Sequence, residues 1–425
     1  MKRSFLALLL ALAVAVPGMA VNAQARASTP TPVPAEPGSE LTVVLLTMGV
    51  GKQVWEQFGH NAIWIRDMSR PPSAGGGTDS VYHWGLFDFS QPHFIPRFLK
   101  GEMLYSMGGF TLASTMDDYH RLDRSVWAQE LDLTPAQKLA LRDYIRWNEL
   151  PEHRGYYYNY YLDNCSTRVR DALDRVLGGV IRARFAGQTR GQTYRSHTLR
   201  LTQVDPLLAT GIDIGEGRPT DRELTVWEEM FLPRILHDGI RELRVTDASG
   251  ASRPLVKREA VLYRSTQFEE PDQPPRWLLP FTLIGLLVGA TFTLLGLKAA
   301  RGSARARFWS GVVFAVWAFI IGILGVLLTL LWTVTHHVAA HQNENLLLFN
   351  PLWLVLAVLV PMTAVKGRLA RFTRGLTLGL AAVALLAPLL HVVGLSRQSN
   401  LEIIGLALPA ALAMAWTVLR GTTAR

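Results

Sequence analysis

Five long apolar runs fill the last third of the chain, after a longer part in which apolar and polar residues alternate over short distances. A helix needs about 20 apolar residues to cross a bilayer. The third run is the shortest and contains Pro361, so its limits are the least well defined. The pattern predicts an all-α domain of five transmembrane helices over residues 277–419. The runs are Trp277–Leu297, Phe308–Thr333, Leu352–Val365, Leu376–Val393 and Ile403–Leu419.

The first part of the chain has the patterns of both strands and helices. Thr134-Pro135-Ala136-Gln137 is a capping box with proline at the first helical position, so we expect a helix from there to about Trp147. Short apolar or alternating runs predict strands. The mixture indicates an α+β domain over residues 40–270. The predicted strands are Leu41–Thr47, Asn61–Ile65, Val81–Phe89, Met103–Ser106 and Ala128–Leu133.

Two further stretches of this domain are less regular. Arg241–Val245 and Leu255–Leu262 flank the turn residues Ala248-Ser249-Gly250, which predicts a hairpin. Residues Phe185–Ala209 follow neither period and receive no assignment.

The N-terminus carries a secretory signal. Two basic residues precede an apolar run from Phe5 to Val16, and Ala23-Gln24-Ala25 offers a cleavage site. We therefore assign residues 1–25 to a signal peptide and residues 26–39, rich in proline and threonine, to a tether. The domain that follows is expected to be exported.

Basic residues predict the orientation of the five runs. The loops after the first and third runs are rich in lysine and arginine, whereas the 336–349 loop has neither and residues 396–400 have only Arg397. Short basic loops stay in the cytoplasm. We therefore expect the exported domain in the periplasm, the spans in a bacterial inner membrane and the 420–425 tail in the cytoplasm.

Composition narrows the classes of function. The chain has one cysteine, so an internal disulfide is excluded. The net charge of +9 comes mostly from arginine and suits the basic loops of a membrane protein, so we reject nucleic acid as a partner. The sequence has no glycine-rich phosphate loop and no cysteine and histidine spacing typical of metal sites. We expect neither a metal nor a cofactor.

The single cysteine lies at the start of a predicted helix, which Gly178-Gly179 ends and which Asn164, Ser166 or Thr167 could cap. Free N–H groups and the helix dipole favour a thiolate there, and the thiolate is the attacking species in thiol catalysis. A lone cysteine is more commonly a small buried hydrophobe, but the polar residues around Cys165 favour a catalytic role. The apolar face of the helix is Val169, Ala172, Leu173, Val176 and Leu177.

A nucleophilic thiol needs a general base. His60 is the best placed of the candidates, because Gly59 ends a loop there and a strand begins. A structural histidine at a strand end is an equally good interpretation of these residues alone. The histidines of the exported domain are His60, His83, His93, His120, His153, His197 and His237.

Four sequence elements occur in an order that resembles the Lnb-type family of bacterial lipoprotein N-acyltransferases. That family has an exported N-terminal domain and a C-terminal membrane domain. The resemblance covers nearly the whole mature chain, and the Asn-Cys-Ser-Thr-Arg sequence is its most specific part. The elements are Phe58–Ala62, Val81–Phe89, Tyr158–Arg168 and His341–Leu352.

The resemblance implies a thiol acyltransferase with a permuted papain-like fold, similar to NlpC-type peptidases and lecithin:retinol acyltransferase. Cys165 would be the nucleophile and His60 the base. Asn164 and Asn159 are candidates for the oxyanion hole. His83 occupies a position where the family more usually has Asn, and it is a candidate orienting group. The implied acyl donor is a phospholipid, and the acceptor is the α-amine of a lipoprotein's lipid-modified N-terminal cysteine.

The polar 336–349 loop has two interpretations. Such loops are usually solvated connectors, but His341, Asn343 and Asn345 could instead form a lipid-side floor to the site. Two other functions also fit the same residues, a periplasmic cysteine peptidase or amidase acting on cell-wall peptides and a non-catalytic membrane sensor or scaffold. Five spans favour a lipid substrate over a soluble peptide, and a sensor would tolerate the loss of Cys165.

Overall fold

The computed structural model describes residues 36–67, 79–88, 90–247, 249–362 and 367–420. The predicted signal peptide, all but the end of the predicted tether and residues 421–425 lie outside the described residues. The remaining chain from Pro37 onwards forms one compact unit that contains both the exported domain and the membrane domain.

An antiparallel sheet of seven strands forms the centre of the exported domain. Its strands are β1 (Leu41–Met48), β2 (His60–Asp67), β3 (Asp79–Phe87), β4 (Leu104–Thr111), β5 (Val126–Leu131), β6 (Gly155–Tyr157) and β11 (Val256–Tyr263). Their order is β11-β5-β1-β2-β3-β4-β6, and each neighbouring pair is antiparallel. Two smaller sheets pair β7 (Thr189–Thr193) with β8 (Glu223–Thr225) and β9 (Arg244–Thr246) with β10 (Ser252–Pro254).

The continuous apolar sequence of β1 explains its central position. Leu41, Val43 and Leu45 face one core, while Val44 and Leu46 face another. A strand buried on both faces reads as an unbroken apolar run, because alternate side chains point to opposite sides of the sheet. Helices therefore cover both faces of the sheet: Pro135–Glu149, Cys165–Val176 and Pro233–Glu242 lie on one side, and Leu112–Arg121 lies on the other.

The helices of the exported domain begin where their caps predict. In α3, the Thr134 hydroxyl accepts from the Gln137 N–H at 3.2 Å, and the Gln137 side chain accepts from the Thr134 N–H at 2.9 Å, which confirms the capping box. The helices are α1 (Phe94–Lys100), α2 (Leu112–Arg121), α3 (Pro135–Glu149), α4 (Cys165–Val176), α5 (Val180–Phe185), α6 (Tyr194–Thr202), α7 (Pro206–Gly215), α8 (Val226–Glu229) and α9 (Pro233–Glu242).

The predicted hairpin is wrong in its second strand. The turn lies between β9 and β10, as expected, but the Leu255–Leu262 stretch belongs mainly to β11, which pairs with β5. The unassigned stretch Phe185–Ala209 contains β7, α6 and the start of α7. In α6, Arg195 and Thr198 are buried alongside apolar side chains, so no amphipathic period marks the helix.

The membrane domain is helical. It contains α10 (Leu278–Ala300), α11 (Ala304–Thr333), α12 (Trp353–Met362), α13 (Gly367–Val392) and α14 (Leu401–Arg420). By length and composition, four of these helices in the described residues can cross a membrane, namely α10, α11, α13 and α14. The third predicted span corresponds to α12, whose ten described residues extend about 15 Å. Residues 363–366, at the end of that run, lie outside the described part of the chain.

Helices α10 and α14 pack closely and run in the same direction. A Cβ added at Gly285 would lie 2.2 Å from the Gly405 carbonyl oxygen, and one added at Gly296 would lie 2.2 Å from Thr417 Cγ2. Residues later in α10 thus contact residues later in α14, as expected for parallel helices. Small residues permit this backbone approach, as in other membrane helix pairs.

The 336–349 loop binds the exported domain. Asn343 Nδ2 donates to the carbonyls of Ile214 and Gly215 at 2.8 and 3.0 Å, and Asn345 Nδ2 donates to Ile214 at 3.1 Å. Both asparagines are buried, and His341 bonds to a carbonyl at the end of α11. Asn343 and Asn345 thus lie against the exported domain, rather than in a solvated connector. Their amides instead satisfy the C-terminal carbonyls of α7.

Candidate active site

A cavity of about 1200 Å³ lies between the sheet and the C-terminal end of α11. Cys165, His60 and His83 line one part of it, and Leu331 of α11 lines another. Its volume exceeds the roughly 300–1,000 Å³ of ordinary small-molecule sites. Most of its other walls are apolar, including Trp55, Phe58, Leu86, Phe98, Phe110 and Phe231.

Cys165 is the first residue of α4, and Asn164 caps the helix. The Asn164 Oδ1 accepts from the backbone N–H groups of Ser166 and Thr167, each at 2.9 Å. Cys165 is buried, and burial raises the pKa of its thiol. Backbone N–H groups of Asn61 and Ser166 and the charge of Arg124 oppose this rise in pKa.

A buried hydrogen bond joins α4 to β2 beside the thiol. Ser166 Oγ lies 2.8 Å from Asn61 Oδ1 and 2.7 Å from the Met230 carbonyl oxygen. Asn61 Nδ2 donates to Thr47 Oγ1 on β1 at 2.9 Å. Since His60 precedes Asn61, this network holds the histidine and the cysteine at the same end of the sheet.

His60 belongs to a chain of three polar side chains. Its Nε2 lies 3.0 Å from His83 Nδ1, and His83 Nε2 lies 3.3 Å from Thr115 Oγ1. The two rings are nearly parallel, with 11° between their planes. If Thr115 accepts from His83, then His83 Nδ1 accepts from His60 Nε2–H. The unprotonated nitrogen of His60 is then Nδ1, which can accept a proton. The reverse arrangement would protonate His60 Nδ1 and remove the base, so only the first tautomer suits catalysis.

Both histidines are held in their neutral forms. Burial, then the charges of His83 and Arg124, keep the pKa of His60 well below its usual 6.5. Burial lowers the pKa of His83 to about 4. Burial thus favours the uncharged imidazole and the uncharged thiol over an imidazolium and a thiolate.

Two glycines shape the backbone around these groups. Gly59 has φ of +76°, and a Cβ there would lie 2.8 Å from the Met48 carbonyl oxygen, so the turn into His60 requires glycine. Gly85 has φ of +90° at an irregularity in β3, where a Cβ would lie 3.6 Å from Cys165 Cβ. Glycine at position 85 thus leaves space beside the thiol.

The two asparagine candidates for the oxyanion hole differ in availability. Asn164 Nδ2 donates to the carbonyls of Tyr160 and Phe231 at 2.9 and 3.0 Å, and its oxygen caps α4, so its amide is fully used. Asn159 lines the cavity, and its oxygen accepts from the N–H of Tyr161. Within the described residues, Asn159 Nδ2 has no partner and remains the better candidate.

Two residues that the sequence did not single out contribute to the site. Thr115 ends the histidine chain, and Arg124 lines the cavity with its Nε bonded to the Gly49 carbonyl at 2.9 Å. The buried Arg124 Nη2 has no partner among the described residues. Neither residue lies in a motif, so no sequence signal could have found them. From the 336–349 loop, the cavity wall includes His336 and His337 rather than the three predicted residues.

Two family models match the chain. The model of the Lnb N-terminal periplasmic domain matches residues 36–200, and that of the Lnb transmembrane domain matches residues 272–418. Comparison with curated proteins and with solved structures gives no match. The matches cover β1 to β6, the residues Cys165 and His60, and nearly all of the membrane helices.

The histidine chain predicts how substitutions at His83 behave. His83→Leu should slow acylation of Cys165 by about 10²-fold, because a wrongly oriented or wrong tautomer of His60 cannot accept the proton. His83→Asn should retain most of the rate, since its amide oxygen can accept from His60 Nε2–H. Rates with an ester donor in detergent would test this, with thermal unfolding as the control. Equal losses in both variants would contradict the orienting role.

The lowered pKa of His60 predicts where the pH–rate profile falls on its acid side. Because His60 stays unprotonated below pH 6.5, the rate of Cys165 acylation should not fall as pH decreases through 6.5. The rate should begin to fall only at a pH well below that value. Initial rates between pH 4.5 and 8 would locate it. An inflection at or above pH 6.5 would mean that another group acts as the base.

Proposed function

We propose that this chain, which belongs to the Lnb-type family, is an acyltransferase acting on bacterial lipoproteins. The family matches support a lipoprotein-modifying protein with a periplasmic domain and a membrane domain. The specific reaction is N-acylation of the α-amine of a lipid-modified N-terminal cysteine. The observation that carries this proposal is the placement of Cys165 and His60 in one large apolar cavity beside α11.

The first half-reaction forms an acyl-enzyme. His60 Nδ1 takes the thiol proton as Cys165 Sγ attacks the ester carbonyl of a phospholipid donor. Backbone N–H groups near Cys165 and the Asn159 amide stabilise the oxyanion in this proposal. The ester C–O bond then breaks, His60 returns the proton to the leaving alcohol oxygen, and a thioester on Cys165 remains.

The second half-reaction passes the acyl group to the lipoprotein. The uncharged α-amine attacks the thioester carbonyl, and His60 accepts one proton from the nitrogen. The C–S bond breaks, and Sγ regains the proton, so the product is an amide and the enzyme returns to its starting state. An apolar cavity favours this route over hydrolysis because it limits the access of water.

We further propose that the exported domain is a permuted papain-like fold. Such a fold needs a helix that begins at the cysteine and packs against an antiparallel sheet that carries the histidine. Helix α4 and strand β2 are arranged in this way, with His60 at the first residue of the strand. The histidine precedes the cysteine in the chain, as a permuted order requires.

We also propose five membrane crossings with a cytoplasmic C-terminus. The C-terminal end of α13 and the start of α14 meet near the 336–349 loop, where His391 Nε2 lies 2.8 Å from Asn400 Oδ1 and Asn400 Nδ2 donates to Asn345 at 2.8 Å. Since α11 also ends there, the chain must return across the membrane before α13. Helix α12 and the residues after it are the segment available for that return.

The shape of the cavity favours acyl transfer over the alternative functions. A peptidase or amidase for cell-wall peptides would need a polar groove open to solvent, whereas Leu331 and Phe98 line this cavity. A sensor or scaffold would have no need for the chain of His60, His83 and Thr115. Each alternative predicts a different fate of lipoprotein N-termini when Cys165 is replaced.

The thioester mechanism predicts the behaviour of the two central residues. His60→Ala should slow acylation of Cys165 by about 10²–10⁴-fold, and Cys165→Ser should form no thioester. The double variant should be no worse than Cys165→Ser, because both residues act as one unit. Trapped acyl-enzyme measured by mass spectrometry would test this, with His153→Ala, outside the cavity, as the matched control.

The N-termini of cellular lipoproteins provide the readout of function. An amide-linked acyl chain should be present with the wild-type gene and absent with Cys165→Ser. Unchanged acylation in that variant would support the sensor. Cleaved cell-wall peptides without lipoprotein acylation would support the peptidase. A phospholipid with a labelled acyl chain should pass its label to the amide. If the amide is unlabelled and the lipoprotein has lost one of its own ester-linked chains, the phospholipid is not the donor.

The proposed orientation predicts the labelling of introduced cysteines. In the cysteine-free Cys165→Ser chain, Arg397→Cys should react with an impermeant maleimide from the periplasmic side. Arg301→Cys should react only after the inner membrane is permeabilised. Both positions are exposed and both changes remove one arginine, so the pair is matched. The reverse labelling would place the C-terminus outside.

A further inference from the structure

Helix α1 presents an apolar face that nothing in the described residues covers. Ile95, Phe98 and Leu99 are 66%, 57% and 60% exposed, and α1 contains no buried residue. Their spacing of i, i+3 and i+4 puts the three side chains on one face of the helix. Exposure of three large apolar side chains together marks an interaction surface.

Contacts with the membrane domain fix where this face lies. The His336 N–H donates to the Lys100 carbonyl at 2.7 Å, and His337 Nε2 lies 3.2 Å from the Phe98 carbonyl oxygen. These histidines directly follow α11. Helix α1 is therefore held against the end of a transmembrane helix, at the depth where apolar surface meets water.

The end of α11 also exposes large apolar side chains. Trp332 and Val334, at the end of α11, are 41% and 59% exposed. Arg97 and Lys100 also lie on α1, outside its apolar face. A short helix with one apolar face and basic residues beside it is suited to the boundary between acyl chains and headgroups.

The same helix forms part of the cavity wall. Phe94 and Phe98 of α1 line the cavity, and Leu331 and His337 line it from the side of α11. Gly101, where α1 ends, lies against His337, so that a Cβ there would be 3.2 Å from the imidazole ring. The space between α1 and α11 is thus continuous with the space beside Cys165.

We propose that α1 lies in the outer leaflet of the inner membrane, with Ile95, Phe98 and Leu99 among the acyl chains. Together with the end of α11 it forms the portal through which a membrane lipid reaches Cys165 without leaving the bilayer. The portal rests on the proposed function and deepens it. The insertion of α1 depends only on the location of its apolar face.

Lipid contact is measured without any enzymatic activity. The full chain with Cys165→Ser has no cysteine, so Leu99→Cys can carry a single bimane label. In vesicles of phosphatidylethanolamine and phosphatidylglycerol with brominated acyl chains, the label at position 99 should be quenched. The control is Ser249→Cys, which lies in the β9–β10 turn at the opposite end of the sheet from His60. Equal quenching at both positions would overturn the insertion. So would shielding at position 99 that appears only when a lipoprotein is added, since that would identify a protein partner.

Charged side chains introduced on the apolar face of α1 test the portal. The double variant Ile95→Glu with Leu99→Glu should slow acylation of Cys165 from vesicle lipids by about tenfold or more, because both side chains lose their burial in lipid. Neither residue lines the cavity, so reaction of Cys165 with iodoacetamide should be unchanged. Val261→Glu on β11 is the control and should acylate normally. Unchanged acylation in the double variant would overturn the portal. Absence of acylation in the wild-type chain would refute the proposed function and leave the bimane result standing.

Discussion

The hydrogen bond between Ser166 and Asn61 is the contact on which the site depends. Both side chains are completely buried, and the bond joins the first turn of α4 to β2, one residue from each reactive group. Breaking it would leave the buried Asn61 Oδ1 without its donor, which costs about 1–3 kcal/mol. Such a penalty makes the register of α4 against the sheet specific. It holds Cys165 and His60 at the same end of the sheet although they are 105 positions apart in the chain.

Burial also sets the chemistry of the pair. Because desolvation raises the pKa of Cys165 and lowers that of His60, burial disfavours the charged forms of both groups. A charged pair would attract water, and water would hydrolyse a thioester. Arg124 opposes the rise in the thiol pKa from inside the cavity wall. An uncharged thiol is thus compatible with the apolar walls of this cavity.

Local features of the sequence predicted the elements of the fold, but not the contacts between distant ones. The apolar run of β1, the capping box of α3 and the cap at Asn164 depend on neighbouring residues, so their patterns were readable. The contact of His83 with Thr115 depends on packing of α2 against β3, which no local pattern encodes. Buried polar residues can depend on distant contacts in the same way. Asn343 and Asn345 are polar because they bind the end of α7, a partner about 130 residues away.

The contact with the end of α7 explains why the membrane domain is more than an anchor. Asn343, Asn345 and Gln398 bind backbone carbonyls at and just after the end of α7, and the Gly217 N–H donates to the Ala339 carbonyl at 2.7 Å. These buried bonds join the two domains directly beneath the cavity. Since α11 supplies part of the cavity wall, the exported domain alone would have an open and more hydrated site. The position of the thiol relative to the bilayer is therefore fixed by the same bonds that complete the cavity around it.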